Sequence, residues 1–98
     1  MKVIAVTPAG RRNYLEILTH YIQRDHHEGI IDEWHLWLNT NDQQDINWCR
    51  ELSKFNPWIK CIEKDPSITV HDEQFGYSIY QFYINCVDPD AIYVRLDD

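Results

Sequence analysis

Two adjacent carboxylates end the sequence, directly after a short apolar segment. Asp97 and Asp98 follow residues 91 to 96, which are mostly apolar and predict a β-strand. Adjacent carboxylates repel each other. A hard divalent cation, Mn²⁺ or Mg²⁺, relieves that repulsion and commonly shares its oxygen ligands with substrate phosphates. The pair therefore predicts a metal site at a strand end, and the alternative is a solvated strand end without a ligand.

A turn of small residues followed by two arginines is the second candidate for chemistry. The segment Thr7-Pro8-Ala9-Gly10 would let a ligand approach the backbone, and Arg11 and Arg12 then precede a predicted helix. A helix N-terminus favours anions, and an arginine can hold a phosphate through two hydrogen bonds. The segment predicts a phosphate-binding turn, and the alternative is an ordinary strand-to-helix turn with solvated arginines. The dinucleotide and P-loop glycine patterns are both absent.

Histidines and cysteines are weaker candidates. The spacing of His26 and His27 does not suit one tetrahedral zinc site, and no thiol lies close to them in sequence, so we expect the histidines on the surface or in the core. The three cysteines are odd in number and form no C-x-x-C pattern. They predict free, packed thiols in a reducing compartment, and hence a cytoplasmic protein.

The elements that must position these groups alternate between strand and helix. Strands are predicted at residues 3–6, 33–38, 58–62 and 91–96. The helices between them are predicted to begin at a capping box of Asn13 and Glu16, at the polar turn of residues 39–42, and at Ser78. The apolar face of the third helix is predicted to be Ile79, Phe82, Tyr83, Cys86 and Val87.

This order predicts an α/β fold, a Rossmann-like three-layer half-domain. We expect a mainly parallel sheet of about four strands with helices on both faces. Ligands of such sheets bind beyond the carboxyl ends of the strands, where both candidate motifs fall.

Length and charge set further bounds. The chain of 98 residues is one small domain, and its net charge of −7 argues against nucleic acid or an anionic membrane surface as a partner. The opening residues lack the apolar core of a signal peptide, and no apolar run approaches the roughly 20 residues of a membrane span. Because the last strand stops within an acidic motif, we expect residues 1–98 to be truncated at the C-terminal end of a longer protein.

Four segments together resemble the N-terminal half of a group of GT-A-fold glycosyltransferases. They are KVIAVTPAGRR, IIDEWHLWLNTN, YSIYQFY and DAIYVRLDD. Members of the group occur in bacteria and in large algal viruses, where one forms part of an enzyme that glycosylates the capsid. The resemblance spans nearly the whole chain and is interrupted around residues 63 to 75.

The resemblance implies a nucleotide-sugar donor, a UDP-sugar, and a glycan or glycoprotein acceptor. It implies nucleotide contacts at Thr7, Pro8, Ala9, Gly10, Arg11, Asn39 and Asp97. Asp97 and Asp98 fall on the family's DxD-like motif, where Asp98 and Asp97 would bind Mn²⁺ or Mg²⁺. The third position of that motif, the acceptor site and any catalytic base are missing from this sequence, so its catalytic residues stay unassigned.

Two other classes of protein remain open. A receiver-like signalling domain also binds Mg²⁺ at strand ends, but it requires acids after the first strand, where this chain has Thr7-Pro8. A non-enzymatic α/β interaction module is permitted by the aromatic and acidic composition.

Overall fold

The protein is an α/β domain, seen here in a computed structural model that describes residues 1–63, 82–83 and 86–97. In chain order, the elements of these ranges are β1 (Lys2–Ala9), α1 (Arg12–His27), β2 (Glu33–Leu38), α2 (Gln43–Phe55), β3 (Ile59–Glu63) and β4 (Ala91–Arg95). No helix within these ranges is both long and apolar enough to cross a membrane.

The four strands form one sheet in the order β3-β2-β1-β4, and every neighbouring pair is parallel. The chain builds β1, β2 and β3 outward in one direction and then returns to the other side of β1 to add β4. This result confirms the predicted α/β class and the parallel sheet of four strands. It also puts the ends of β1 and β4 side by side.

Alternation along the strands divides the core into two layers, because successive side chains point to opposite faces of a sheet. Helices α1 and α2 cover one face, where Trp34, Leu36 and Cys49 are fully buried with their neighbours. The opposite face carries Trp37 and Phe82, whose rings stack with centroids 5.6 Å apart.

Helix α1 begins earlier than the sequence predicted. Arg11 is its N-cap residue in an extended conformation, and the amides of Tyr14 and Leu15 both donate to the Arg11 carbonyl. Asn13 therefore lies inside the first turn, and Glu16 pairs with Arg12 instead of completing a capping box. The predicted Asn13–Glu16 cap is wrong, because the charged pair offers the Glu16 carboxylate another partner four residues away.

The third predicted helix falls largely outside the described residues. Phe82 and Tyr83 form a short 3-10 turn, whereas Cys86 and Val87 have no helical structure. Val87 is exposed, so the C-terminal end of that predicted helix is wrong. After α1, Gly29 has a positive φ of 78°, a conformation that favours glycine.

Candidate functional site

The strand order defines one place where a ligand is expected. In open parallel sheets, ligands bind beyond the carboxyl ends of the strands, at the point where the chain reverses its direction across the sheet. Here that point lies between β1 and β4. The Leu96 amide donates to the Val6 carbonyl at 2.9 Å and holds the end of β4 against β1. We call the carboxyl ends of β1 and β4, with the residues that follow them, the switch-point edge.

The turn after β1 contributes Gly10 and Arg11 to this edge. A Cβ atom at Gly10 would lie 3.6 Å from the Asn39 carbonyl oxygen, so this turn runs against the end of β2. The Asn39 amide also donates to the Ala9 carbonyl. The structure thus brings together Gly10, Arg11 and Asn39, three residues predicted to contact the nucleotide.

The start of α1 carries two arginines, Arg11 and Arg12. It has no side-chain cap and no acidic residue in its first turn. The Arg11 guanidinium lies 4.5 Å from the centre of the Tyr14 ring, and Arg12 pairs with Glu16. A surface cleft of about 660 Å³ is lined by Arg11, Arg12, Asn13, Tyr14, Glu16, Gln44 and Asp45. Such a cleft beside uncapped helical N–H groups can accept an anion.

The end of β4 contributes a charged pair that is supported by a tyrosine. Arg95 Nε donates to Asp97 Oδ1 at 2.9 Å, and Arg95 Nη1 donates to the Tyr83 hydroxyl at 2.9 Å. Both bonds raise the pKa of the Arg95 guanidinium above its ordinary value, and the bond to Asp97 has the larger effect. The group is therefore a permanent positive charge beside the first acid of the predicted motif.

Aromatic packing beneath this pair fixes the position of Tyr83. Its ring stands edge-on to Trp37, with the ring centres 5.0 Å apart. Trp37 is fully buried, and within the described part of the chain its indole Nε1 is the one buried side-chain polar atom without a hydrogen-bond partner. Tyr83 itself is 41% exposed, so it joins a buried aromatic layer to the surface.

The predicted site residues differ widely in accessibility. Thr7 and Ala9 are 0% and 1% exposed, and the Thr7 hydroxyl accepts a hydrogen bond of 3.0 Å from the Trp34 indole. Pro8, Gly10 and Asn39 are partly exposed, and Arg11 and Asp97 are exposed. Asp98 lies outside the described residues. An approaching ligand therefore meets the later residues of the turn rather than Thr7 or Ala9.

The sequence patterns did not indicate Arg95 or Tyr83 as site residues. A signal for Arg95 was present, since residues two apart on an extended strand share a face and Asp97 follows at that distance. Tyr83 was assigned to the apolar face of a helix, and no spacing rule indicated that its hydroxyl would meet β4.

The fit to a divalent cation rests on Asp97 alone among the described residues. Its carboxylate supplies the hard oxygen that Mg²⁺ and Mn²⁺ prefer, and Mg²⁺ commonly uses one or two carboxylates together with phosphates and water. Oδ1 is engaged by Arg95, which leaves Oδ2 for a ligand. The described ranges contain no cluster of three or more His, Cys, Asp or Glu side chains that could hold a metal without a substrate.

Of the described histidines, His20 and His27 are exposed and the other two are packed, which agrees with the prediction of surface or core positions. His26 stacks on Trp58 with a centroid distance of 3.9 Å, and His35 bonds to Glu33. All three cysteines are free thiols. Burial raises the pKa of the Cys61 and Cys86 thiols, which disfavours the reactive thiolate.

Comparison of the chain with protein-family models, with curated proteins and with solved structures gave no match.

Proposed function

We propose that this chain is the donor-binding region of a GT-A-type glycosyltransferase. It binds a nucleotide-sugar, a UDP-sugar, together with Mn²⁺ or Mg²⁺ for transfer of the sugar to an acceptor hydroxyl on a glycan or glycoprotein. The observation that carries the proposal is the strand order, which puts an arginine-bearing turn and an acid-bearing strand end at one edge.

The phosphate side of the proposed site is the turn after β1. Arg11 is exposed at the start of a helix whose first turn contains no acidic residue, where a diphosphate gains both the guanidinium and the N–H groups of the first turn. Gly10 and Asn39 lie against each other at the base of this turn, which suits contacts to the nucleoside. Thr7 and Ala9, which are buried, support the turn from beneath.

The acidic side of the proposed site is the end of β4. Asp97 is exposed and oriented by Arg95, so its second oxygen can accept from a ribose hydroxyl or bind the cation. Asp98 would be the second metal ligand. A bound divalent cation would neutralise the negative charge that develops on the departing nucleoside diphosphate.

The charge balance supports a role for the cation. The protein carries a net charge of −7, so an acidic strand end alone repels a diphosphate. A cation reverses the local sign and lets a carboxylate and a diphosphate share one ion. Three free thiols fit a reducing compartment, and we therefore propose a cytoplasmic location.

Calorimetric titration with UDP, in Mn²⁺ and in excess chelator, tests the proposal. We expect binding that Mn²⁺ strengthens, and a loss of affinity of about 1.5–3 kcal/mol for Arg11→Ala, the scale of a charged hydrogen bond. Arg24→Ala is the matched control, because Arg24 lies on α1 and, like Arg11, covers a tyrosine ring, at 5.4 Å. Equal affinity for UDP in chelator and in Mn²⁺ would contradict the metal role, and no binding at all would contradict the donor site.

One observation favours the alternative of a non-enzymatic interaction module. Tyr14, Ile17 and Tyr21 are more than half exposed and share one side of α1. Ile92 and Val94 are 47% and 39% exposed on the same face of the sheet. Exposed apolar residues of this kind are typical of protein contacts. Silence in the UDP titration, together with association that depends on protein concentration, would favour this alternative.

A further inference from the structure

The chain of contacts from Tyr83 through Arg95 to Asp97 holds the Arg95 guanidinium from two sides. Nε donates to Asp97 and Nη1 donates to the Tyr83 hydroxyl, each at 2.9 Å. Tyr83 is in turn packed edge-on against the buried Trp37. An arginine fixed by two directed bonds and a rigid aromatic base loses little mobility when a ligand arrives.

This fixed charge changes what Asp97 offers to a cation. The carboxylate is already neutralised by a guanidinium in direct contact. A divalent ion that approaches Asp97 without an anion meets the repulsion of Arg95 as well as the attraction of the carboxylate, so the pair as a whole attracts it weakly. A diphosphate reverses this balance, because it brings negative charge for Arg95 and oxygen ligands for the ion.

We propose that Arg95 is a positioning residue that makes metal binding at Asp97 conditional on the diphosphate. The cation then enters with the nucleotide rather than ahead of it. Within the described residues Arg95 Nη2 makes no hydrogen bond and the side chain is exposed, so this nitrogen is available to a phosphate oxygen. The inference rests on the donor-binding function proposed above and specifies how that site is loaded.

Paramagnetic resonance of free aqueous Mn²⁺ tests this order of binding without any measurement of activity. Mn²⁺ affinity is measured with and without saturating UDP for the wild type, Arg95→Gln and Tyr83→Phe. Arg24→Gln serves as the control, because it removes an exposed arginine that also pairs with an acid, Asp25, near the opposite end of α1. Circular dichroism of each variant checks the fold.

For Arg95→Gln we expect the affinity for Mn²⁺ alone to rise and the gain in Mn²⁺ affinity from UDP to fall. Loss of the positive charge should strengthen binding of Mn²⁺ alone by about three- to tenfold, the size of a short-range charge effect in a solvated site. The gain in Mn²⁺ affinity that UDP confers should shrink by at least the same factor. Tyr83→Phe should move both affinities in the same directions by less, and Arg24→Gln should leave both unchanged.

Two outcomes would overturn the inference, and they are distinguishable. If the wild type binds UDP with help from Mn²⁺ but Arg95→Gln leaves the affinity for Mn²⁺ alone unchanged or weaker, Arg95 is a structural residue only. If the wild type shows no mutual strengthening of UDP and Mn²⁺ binding, the donor-binding function itself fails, and the order of loading fails with it.

Discussion

The hydrogen bond between Thr7 and Trp34 gives the sharpest test of how the core supports the switch-point edge. The Trp34 indole donates to the Thr7 hydroxyl at 3.0 Å, and both residues are 0% exposed. Thr7→Val keeps the shape of the side chain but removes the acceptor. The indole N–H would then be buried without a partner.

The expected loss in the free energy of unfolding is about 1–3 kcal/mol, the cost of a buried polar group left without its bond. This loss is a large share of the roughly 5–15 kcal/mol that stabilise a typical domain. It corresponds to a drop in Tm of about 4–8 °C per kcal/mol for a chain of this size. Binding of UDP should change little, since a buried Thr7 is out of reach of a ligand.

Thr19→Val is the matched control. Thr19 is also buried, and its hydroxyl donates to the Leu15 carbonyl within α1 at 2.6 Å. The substitution there leaves a carbonyl that the helix already satisfies and no unpartnered N–H group, so a change below about 0.5 kcal/mol is expected. Urea unfolding followed by tryptophan fluorescence and circular dichroism measures both variants. A loss in the free energy of unfolding for Thr7→Val no larger than that for Thr19→Val would contradict this role of the Thr7–Trp34 hydrogen bond.

Two further changes should alter stability in defined ways. Hydrogen bonds from Lys2 and, to a smaller extent, from His35 lower the pKa of Glu33. The stability that ionised Glu33 adds to the fold is therefore complete above its ordinary pKa of 4.5. It is lost as the pH falls through the lowered pKa of the folded state. Glu33→Gln should therefore cost about 0.5–1.5 kcal/mol at pH 7, and this deficit should shrink in acid; a deficit independent of pH in urea unfolding would refute the assignment. Asp42 caps α2 by accepting from the Gln44 amide at 2.9 Å, so Asp42→Ala should cost about 0.5–2 kcal/mol and Asp42→Asn much less, and equal thermal melts for the two variants would contradict the cap.

Sequence patterns located the strands well because buried strands leave a dense apolar signal. The bounds of β2, Glu33 to Leu38, match the prediction. β1 continues past its predicted end at Val6. Pairing with β4 ends at Val6, which lies opposite Arg95, so Pro8 comes after the paired part of β1 on that side. The missing N–H of Pro8 faces that side of the strand and interrupts no pairing there, as strand ends allow.

The candidate site was predicted only in part, for a physical reason. Arg11, Asn39 and Asp97 could be assigned to strand ends, because parallel strands bring their carboxyl ends to one edge. The bond from Arg95 to Tyr83 joins residues in different elements and depends on the packing of Tyr83 against Trp37. Contacts of this kind follow from tertiary packing and have no local pattern in the sequence.

The pairing of β4 with β1 has a consequence for the order in which the protein folds. Lys2 pairs with Ala91, so this contact joins almost the two ends of the described chain. More than three times as many residues separate β1 from β4 as separate β1 from β2, which adds about 1 kcal/mol of loop-closure entropy. The first three strands and two helices can therefore assemble locally before β4 docks. Arg95 and Asp97 join the site in that last step, and a ligand that contacts both strand ends would hold β4 in place.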